Sequence, residues 1–203
     1  MCGGNARAAS IDLEKAFDRI IHSAVLTGLQ AAGVSEEDLG AIQNMYRQQQ
    51  AFVQLDPATR SRYFAILRGV RQGDPMSPAL FTNTVRNAMA KLKEKWEAKS
   101  YGCIVGSNVL GKRRLTYMMF ADDTTLLAKS RQALAQMMGD IRAELAKIGL
   151  NLNADKCSVQ CVGKSAPRGQ KIRLSGEEYP VAKCTEGFKV LGTIVTLDGS
   201  TST

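Results

Sequence analysis

Five cysteines, an odd number without a single CxxC pair, and only one histidine, His22, leave this 203-residue chain poor in zinc ligands. No secretory signal is in view, so Cys2, Cys103, Cys157, Cys161 and Cys184 read as reduced thiols of an intracellular protein. Cys157 and Cys161 would share one face of a strand, but a zinc site there would need ligands from elsewhere. No stretch approaches the roughly eighteen apolar residues of a membrane span. The first seven residues lack the apolar core of a signal peptide. No internal repeat or low-complexity tract stands out. Acidic residues are the scarcer charge: 19 Asp and Glu face 27 Lys and Arg, for a formal net charge of +8. That excess suits a polyanion binder, because neutralised phosphates release counterions, and equally a merely soluble basic protein. Hydrophobic residues at 44% imply a packed core rather than disorder.

The chain is organised around the run from Tyr117 to Ala128, where Asp122 and Asp123 stand side by side between apolar flanks. Short flanks rich in aromatic and branched residues predict two buried strands, with the acidic pair at the bend between them. Asp is poor in strands and good in turns. Two like charges near an apolar sheet raise each other's pKa unless a cation joins them. On the hairpin alone, a solvated turn and a metal site remain equally open.

Other segments read in order. Residues 8–13 form a strand that ends at Asp12, and an acid at the end of an apolar strand is costly unless paired or metal-bound. Residues 23–32 form a helix stopped by Gly33, with His22 structural or exposed at its entry. Ser35 caps a helix whose first turn is acidic. Residues 51–55 and 63–67 pair as strands across the turn-rich 56–61. A glycine- and proline-rich loop with two arginines, 68–78, leads into a helix opened by Ser77-Pro78, a junction that can receive phosphate but is common. Residues 102–112 form a hairpin turning at Ser107-Asn108. Residues 132–148 form an amphipathic helix closed by Gly149. A turn ends at Lys156, and strands follow at 157–162, 171–174 and 188–195.

At the glycine-rich loop 68–78 and the acidic hairpin 117–128 the resemblance becomes specific. The chain resembles the palm of a reverse transcriptase, most closely those of non-LTR (LINE-type) retrotransposons. Five blocks match the family in order: Asp12-Leu13-Glu14-Lys15-Ala16-Phe17-Asp18; Arg68 to Phe81, containing Arg71-Gln72-Gly73-Asp74-Pro75; Phe120-Ala121-Asp122-Asp123; Gly149 to Asn153 with Lys156; and Val190-Leu191-Gly192. Asp18 and Ala121 resemble retrotransposon or intron-type enzymes more than retroviral ones. The likeness runs from Ser10 to Val195.

The resemblance implies an α+β palm, an antiparallel sheet holding the central hairpin with helices at 77–98 and 131–149 packed on one face. It implies one partial palm domain over 1–203 that starts within the first motif and ends after the primer-grip hairpin, with fingers and thumb largely missing. The implied activity is RNA-directed DNA polymerisation. Asp12 and Asp122 would bridge two Mg²⁺ ions, with Mn²⁺ able to substitute, and Asp123 would assist. Such ions neutralise charge in phosphoryl transfer, and few protein ligands suffice for them. Asp12 should then stand beside the hairpin turn. Phe17 would exclude a ribose 2′-hydroxyl; read by itself it is core packing. Gln72 and Gly73 would contact the incoming nucleotide, and Arg71 a phosphate or the template, unless it is simply a surface arginine. Lys156 would protonate pyrophosphate as a general acid, though a turn lysine is also commonly just solvated. Leu191 and Gly192 would form the primer grip. The implied partners are RNA template, DNA primer, dNTP and the rest of a retrotransposon polyprotein, with no membrane. Two other classes stand beside this reading. One is a vestigial, non-catalytic nucleic-acid-binding palm, against which the intact acids count. The other is an RNA-templated RNA polymerase, against which Phe17 counts.

Overall fold

The computed structural model describes residues 7–107, 111–120, 123–161, 171–182, 188–190, 193–195 and 201–202. The chain opens with β1 (Arg7–Ile11), then α1 (Ala16–Arg19), α2 (His22–Ala31) and α3 (Glu36–Arg47). Two short strands, β2 (Gln50–Ala51) and β3 (Phe64–Ala65), precede the long α4 (Ser77–Ala98). Next come β4 (Cys103–Ser107), β5 (Gly111–Leu115), β6 (Tyr117–Phe120), β7 (Asp123–Ala128) and α5 (Arg131–Lys147). The last elements are β8 (Ser158–Cys161), β9 (Lys171–Leu174), β10 (Glu177–Pro180), β11 (Phe188–Val190), β12 (Thr193–Val195) and β13 (Thr201–Ser202). Every pairing between these strands is antiparallel. The architecture is α+β, as the sequence implied.

The chain divides into two compact units, and the division falls inside α4. The first holds Met1–Glu14, Met89–Lys147 and Asn151–Thr203. Its main sheet has the strand order β6-β7-β1-β8. β1 is central, paired along both edges, and its Ala8 and Ala9 are wholly buried between the layers on either face. α5 lies on β1, β7 and β9 through a buried stripe of Leu134, Met137, Met138, Ile141 and Leu145, which is the amphipathic face read from the sequence. The α4 end in this unit is anchored by Trp96. Its ring is fully buried, its Nε1–H donates to Asp140 Oδ2 at 2.9 Å, and its edge meets Tyr117 with centroids 6.3 Å apart.

The second unit holds Lys15–Ala88 and Ile148–Leu150. α2 and α3 pack as a hairpin. Ser35 caps α3 as expected, accepting the Asp38 N–H. Gly28 of α2 meets the α4 backbone so closely that a Cβ would stand 2.8 Å from Thr84 Cα. Gly149 is needed twice over: its φ is 85°, and a Cβ would fall 2.7 Å from the Arg19 carbonyl oxygen.

Four local expectations change. β6 is an edge strand with alternating exposure, not a buried strand; Met118 and Phe120 face outward. Asp123 is the first residue of β7, paired with Phe120, rather than a residue of the bend. The strands at 51–55 and 63–67 shrink to two residues each, with Gln54 and Arg60 bridging beyond them, because their side chains are mostly exposed and gain little by pairing. β10 was missed. It closes a two-residue hairpin on β9 through Ser175 and Gly176, both at positive φ, and Ser-Gly between two short strands is the signal that could have found it. The Ser107-Asn108 turn falls partly outside the described residues.

Candidate functional site

In the first unit, the ladder between β1 and β7 runs from Arg7↔Ala128 to Ile11↔Thr124. The next residue on each side is an acid: Asp12, just past the end of β1, and Asp123, the first residue of β7. Residues opposed in an antiparallel pair project to the same face; continued by one step, this register would set these two carboxyl-bearing positions opposite each other. Asp12 is half-buried and Asp123 exposed. Asp122, the central acid of the sequence reading, lies outside the described residues. Among the described residues, no hydrogen bond or ion pair reaches the carboxylate of Asp12 or Asp123. No group of three His, Cys, Asp or Glu gathers among them as a metal site either.

The backbone of Asp12 is held from the opposite side. Its carbonyl accepts the Asn153 N–H at 2.9 Å, and the Glu14 N–H donates to the Asn151 carbonyl at 3.0 Å. Its N–H donates to Cys157 Sγ at 3.3 Å, and the thiol donates back to the Asp12 carbonyl. Cys157 is buried, and burial pushes its pKa up to about 11, so it is a neutral thiol at neutral pH and a structural donor rather than a nucleophile. The fourth sequence block therefore straps the first in place, and the same turn carries Lys156, which is exposed. Cys157 had been read only as strand; a cysteine near the end of a turn gives no local sign that it will meet a residue 145 positions away.

In the second unit, the loop from 68 to 78 is fixed to the end of the first block. Val70 N–H donates to the Phe17 carbonyl at 2.7 Å, and Gly69 N–H to the Ile20 carbonyl at 2.7 Å. His22 Nε2 lies 2.9 Å from the Gly69 carbonyl oxygen, and its ring sits against Tyr46 with centroids 4.5 Å apart; it is structural. The result is a cavity of about 530 Å³ whose lining includes Phe17, Arg71, Gln72, Gly73, Asp74 and Ser77. Four of these are the residues that the family resemblance assigned to nucleotide contact.

Each wall residue has a distinct condition. Phe17 is half-buried and stacked on Phe81, with centroids 4.8 Å apart and planes 15° from parallel. Gln72 donates one amide hydrogen to Asp18 Oδ1 at 3.1 Å, which orients the side chain and leaves a second donor and the amide oxygen for a ligand. Gly73 has φ 87° and open space where a Cβ would stand, so its backbone can be approached directly. The Asp74 side chain accepts the Met76 N–H at 2.8 Å, and its carbonyl accepts the N–H of Ser77, the first residue of α4, at 3.1 Å. Ser77, read from the sequence only as a helix opener, is 1% exposed. Its Oγ has no hydrogen-bond partner among the described residues and is itself closed off from solvent, so the unpaired hydroxyl is a cost of the packing here. Arg71 is exposed at the rim. Leu191 and Gly192, the primer-grip pair, lie outside the described residues.

The family model described as "Reverse transcriptase (RNA-dependent DNA polymerase)" matches residues 3–195. The chain is 30% identical over 198 residues to the "Retrovirus-related Pol polyprotein from type-2 retrotransposable element R2DM" of Drosophila melanogaster, covering 94% of this chain and 18% of the polyprotein. It is 30% identical over 171 residues to the Pol polyprotein of a type-1 retrotransposable element R2 of Nasonia vitripennis, covering 84% of this chain and 15% of the other. The chain thus spans less than a fifth of the length of these relatives. In fold it is similar to apo telomerase from Candida tropicalis, with a TM-score of 0.59 and 14% identity over 92% of this chain and 35% of that one. No helix among the described residues is long and apolar enough to cross a membrane. Matched by the family model over 3–195, and carrying the five blocks in order, the chain belongs to the reverse transcriptase (RNA-dependent DNA polymerase) family.

Proposed function

We propose that this chain is the palm of an RNA-directed DNA polymerase that extends a DNA primer with deoxynucleotides along an RNA template, within a retrotransposon polyprotein. The observation that carries the reading is the end of the β1–β7 ladder at Ile11↔Thr124, past which the next residues are Asp12 and Asp123, with neither carboxylate engaged by a described residue. Hard carboxylate oxygens with coordination to spare fit Mg²⁺, and Mn²⁺ as its substitute. Asp12 and Asp122 would hold two such ions and Asp123 would assist. When bound, these ions neutralise charge on the attacking oxygen, the phosphate and the departing pyrophosphate.

The chain's own residues do the rest. Asp12 keeps its position because Asn153 and Cys157 hold its backbone. Gln72 and Gly73 offer an amide donor and an approachable backbone to the nucleotide. Arg71 at the rim draws phosphate by charge. Lys156 donates a proton to the leaving pyrophosphate. Leu191 and Gly192 support the primer strand.

The first test is thermal. Saturating Mn²⁺ or Mg²⁺ raises the melting temperature of the wild-type chain by about 5 °C or more at a hundredfold excess over the dissociation constant. Asp122→Ala removes that rise. Equal shifts in the two proteins would sink the metal assignment.

A second prediction concerns the sugar. Phe17 lines the cavity while its ring is held by Phe81. Phe17→Ala opens the space that a 2′-hydroxyl would fill, so incorporation of ribonucleotides relative to deoxynucleotides rises about 10- to 100-fold. Phe17→Tyr keeps the exclusion. An unchanged ratio in Phe17→Ala would reduce Phe17 to packing on Phe81.

A further inference from the structure

The segment between α3 and α4 carries an exposed surface that none of the chemistry above uses. Phe52 and Tyr63 meet edge to face, with centroids 5.3 Å apart and planes at 71°. Both residues keep exposed surface: Phe52 is 37% and Tyr63 57% exposed. The Arg60 guanidinium carbon stands 5.7 Å from the Phe52 centroid and 5.9 Å from that of Tyr63. That is cation–π distance to both rings at once. Among the described residues, neither Arg60 nor Arg62 has an ion pair. Residues 47–68 contain four arginines and one acid, Asp56, whose carboxylate is engaged by the Ala58 and Thr59 N–H groups.

The platform is also rigid. Ser61 N–H donates to the Val53 carbonyl at 2.8 Å, Leu55 N–H to the Thr59 carbonyl at 3.0 Å, and Val53 N–H to Ser61 Oγ at 2.8 Å. Two exposed rings and unpaired arginines on a braced hairpin form a stacking surface for bases with charge for their phosphates. A protein partner would have to bury the Arg60 charge, which demands a carboxylate in return; a phosphate strand supplies the anion and the flat ring together.

We infer that the β2–β3 hairpin, through Phe52, Tyr63, Arg60 and Arg62, is a binding site for the unpaired bases of single-stranded RNA. The choice of RNA as the strand rests on the proposed RNA-templated function; the stacking chemistry does not. The site lies outside the cavity lined by Phe17 and Gln72, and its role is to hold unpaired strand rather than to contact the incoming nucleotide.

The test uses the full chain in EDTA with no nucleotide, so it is independent of the carboxylates. The probe is a fluorescently labelled unstructured 12-nucleotide oligouridylate, read by anisotropy. The Phe52→Leu/Tyr63→Leu double variant keeps apolar area and loses both rings; its affinity falls at least about tenfold, in line with stacking losses at such platforms. Phe52→Trp/Tyr63→Trp retains the affinity. Wild type binds an abasic strand of equal length, or a blunt RNA duplex, at least about tenfold more weakly than the single strand. The leucine variant keeps the wild-type melting temperature, since both rings are exposed, and keeps its Mn²⁺-dependent rise. Oligouridylate binding that is unchanged in the leucine variant, or duplex and abasic strands bound as tightly as the single strand, would overturn the inference and leave the patch to a protein partner. The Mn²⁺ shift and its loss in Asp122→Ala report on the proposed polymerase site separately.

Discussion

Asp12→Asn lowers primer extension on a poly-ribonucleotide template at least about a thousandfold, in Mg²⁺ and in Mn²⁺ alike. The substitution keeps the shape of the side chain and removes one unit of charge where the β1–β7 ladder ends. The backbone bonds from Asn153 and to Cys157 do not involve the carboxylate and persist. The loss is therefore one of chemistry and not of fold. Stability makes this checkable. Like charges abreast on neighbouring strands cost about 0.2–1 kcal/mol, so without metal Asp12→Asn melts at or slightly above the wild-type temperature. An inactive variant that also melts several degrees lower would point to a structural role for Asp12. Activity retained within tenfold would remove Asp12 from the site. A folded wild type that binds Mn²⁺ without extending the primer would be a palm that works only with the rest of its polyprotein.

The largest expected loss of stability lies away from the acids. Trp96→Ala destabilises the chain by about 4 kcal/mol, within the range for emptying a large aromatic site. Trp96 has no exposed surface, and it joins three elements of the first unit. It extends α4, bonds Asp140 of α5 and touches Tyr117 of β6. Asp140 would keep its bond from Lys95 Nζ at 2.7 Å, so the penalty is mostly cavity and lost contact. Trp96→Phe refills much of the volume and forfeits the indole hydrogen bond, for about 1–2 kcal/mol. Against a typical total of about 5–15 kcal/mol, the alanine variant sits near unfolding at body temperature. Chemical denaturation measures both values. β6 is the strand on which β7 and Asp123 are paired, so the alanine variant also binds Mn²⁺ more weakly than wild type while Trp96→Phe does not. A loss below about 1.5 kcal/mol for alanine would show that α4 and α5 close over the gap.

Much of the fold was legible because its signals are local. The Ser35 cap, the Gly33 and Gly149 stops and the apolar stripe of α5 each sit within a few residues of the structure they specify. Turn chemistry alone misled at Asp123: adjacent acids suggested a bend, yet pairing with Phe120 draws it into the strand. The two-residue β9–β10 turn was overlooked although its Ser-Gly pair carries φ of 48° and 89°.

By itself the sequence determined the family, the order of the elements and the residue types available for chemistry, because five ordered blocks and the helix boundaries are written within short windows. It could not determine which side chains are already engaged. Gln72 is bound to Asp18, 54 residues away, and Asp12 to Cys157, 145 away; such pairs leave no local trace. It could not tell that Ser77 ends up buried without a partner, or that Phe52 and Tyr63 stay in solvent around Arg60 while residues of the same type at 17 and 46 are half or wholly covered. Burial and hydrogen-bond satisfaction depend on what the rest of the chain brings to a residue. Only tertiary packing fixes that, and here it placed β1 between β7 and β8, with Asp12 one residue past the end of the β1–β7 ladder and Asp123 at the start of β7.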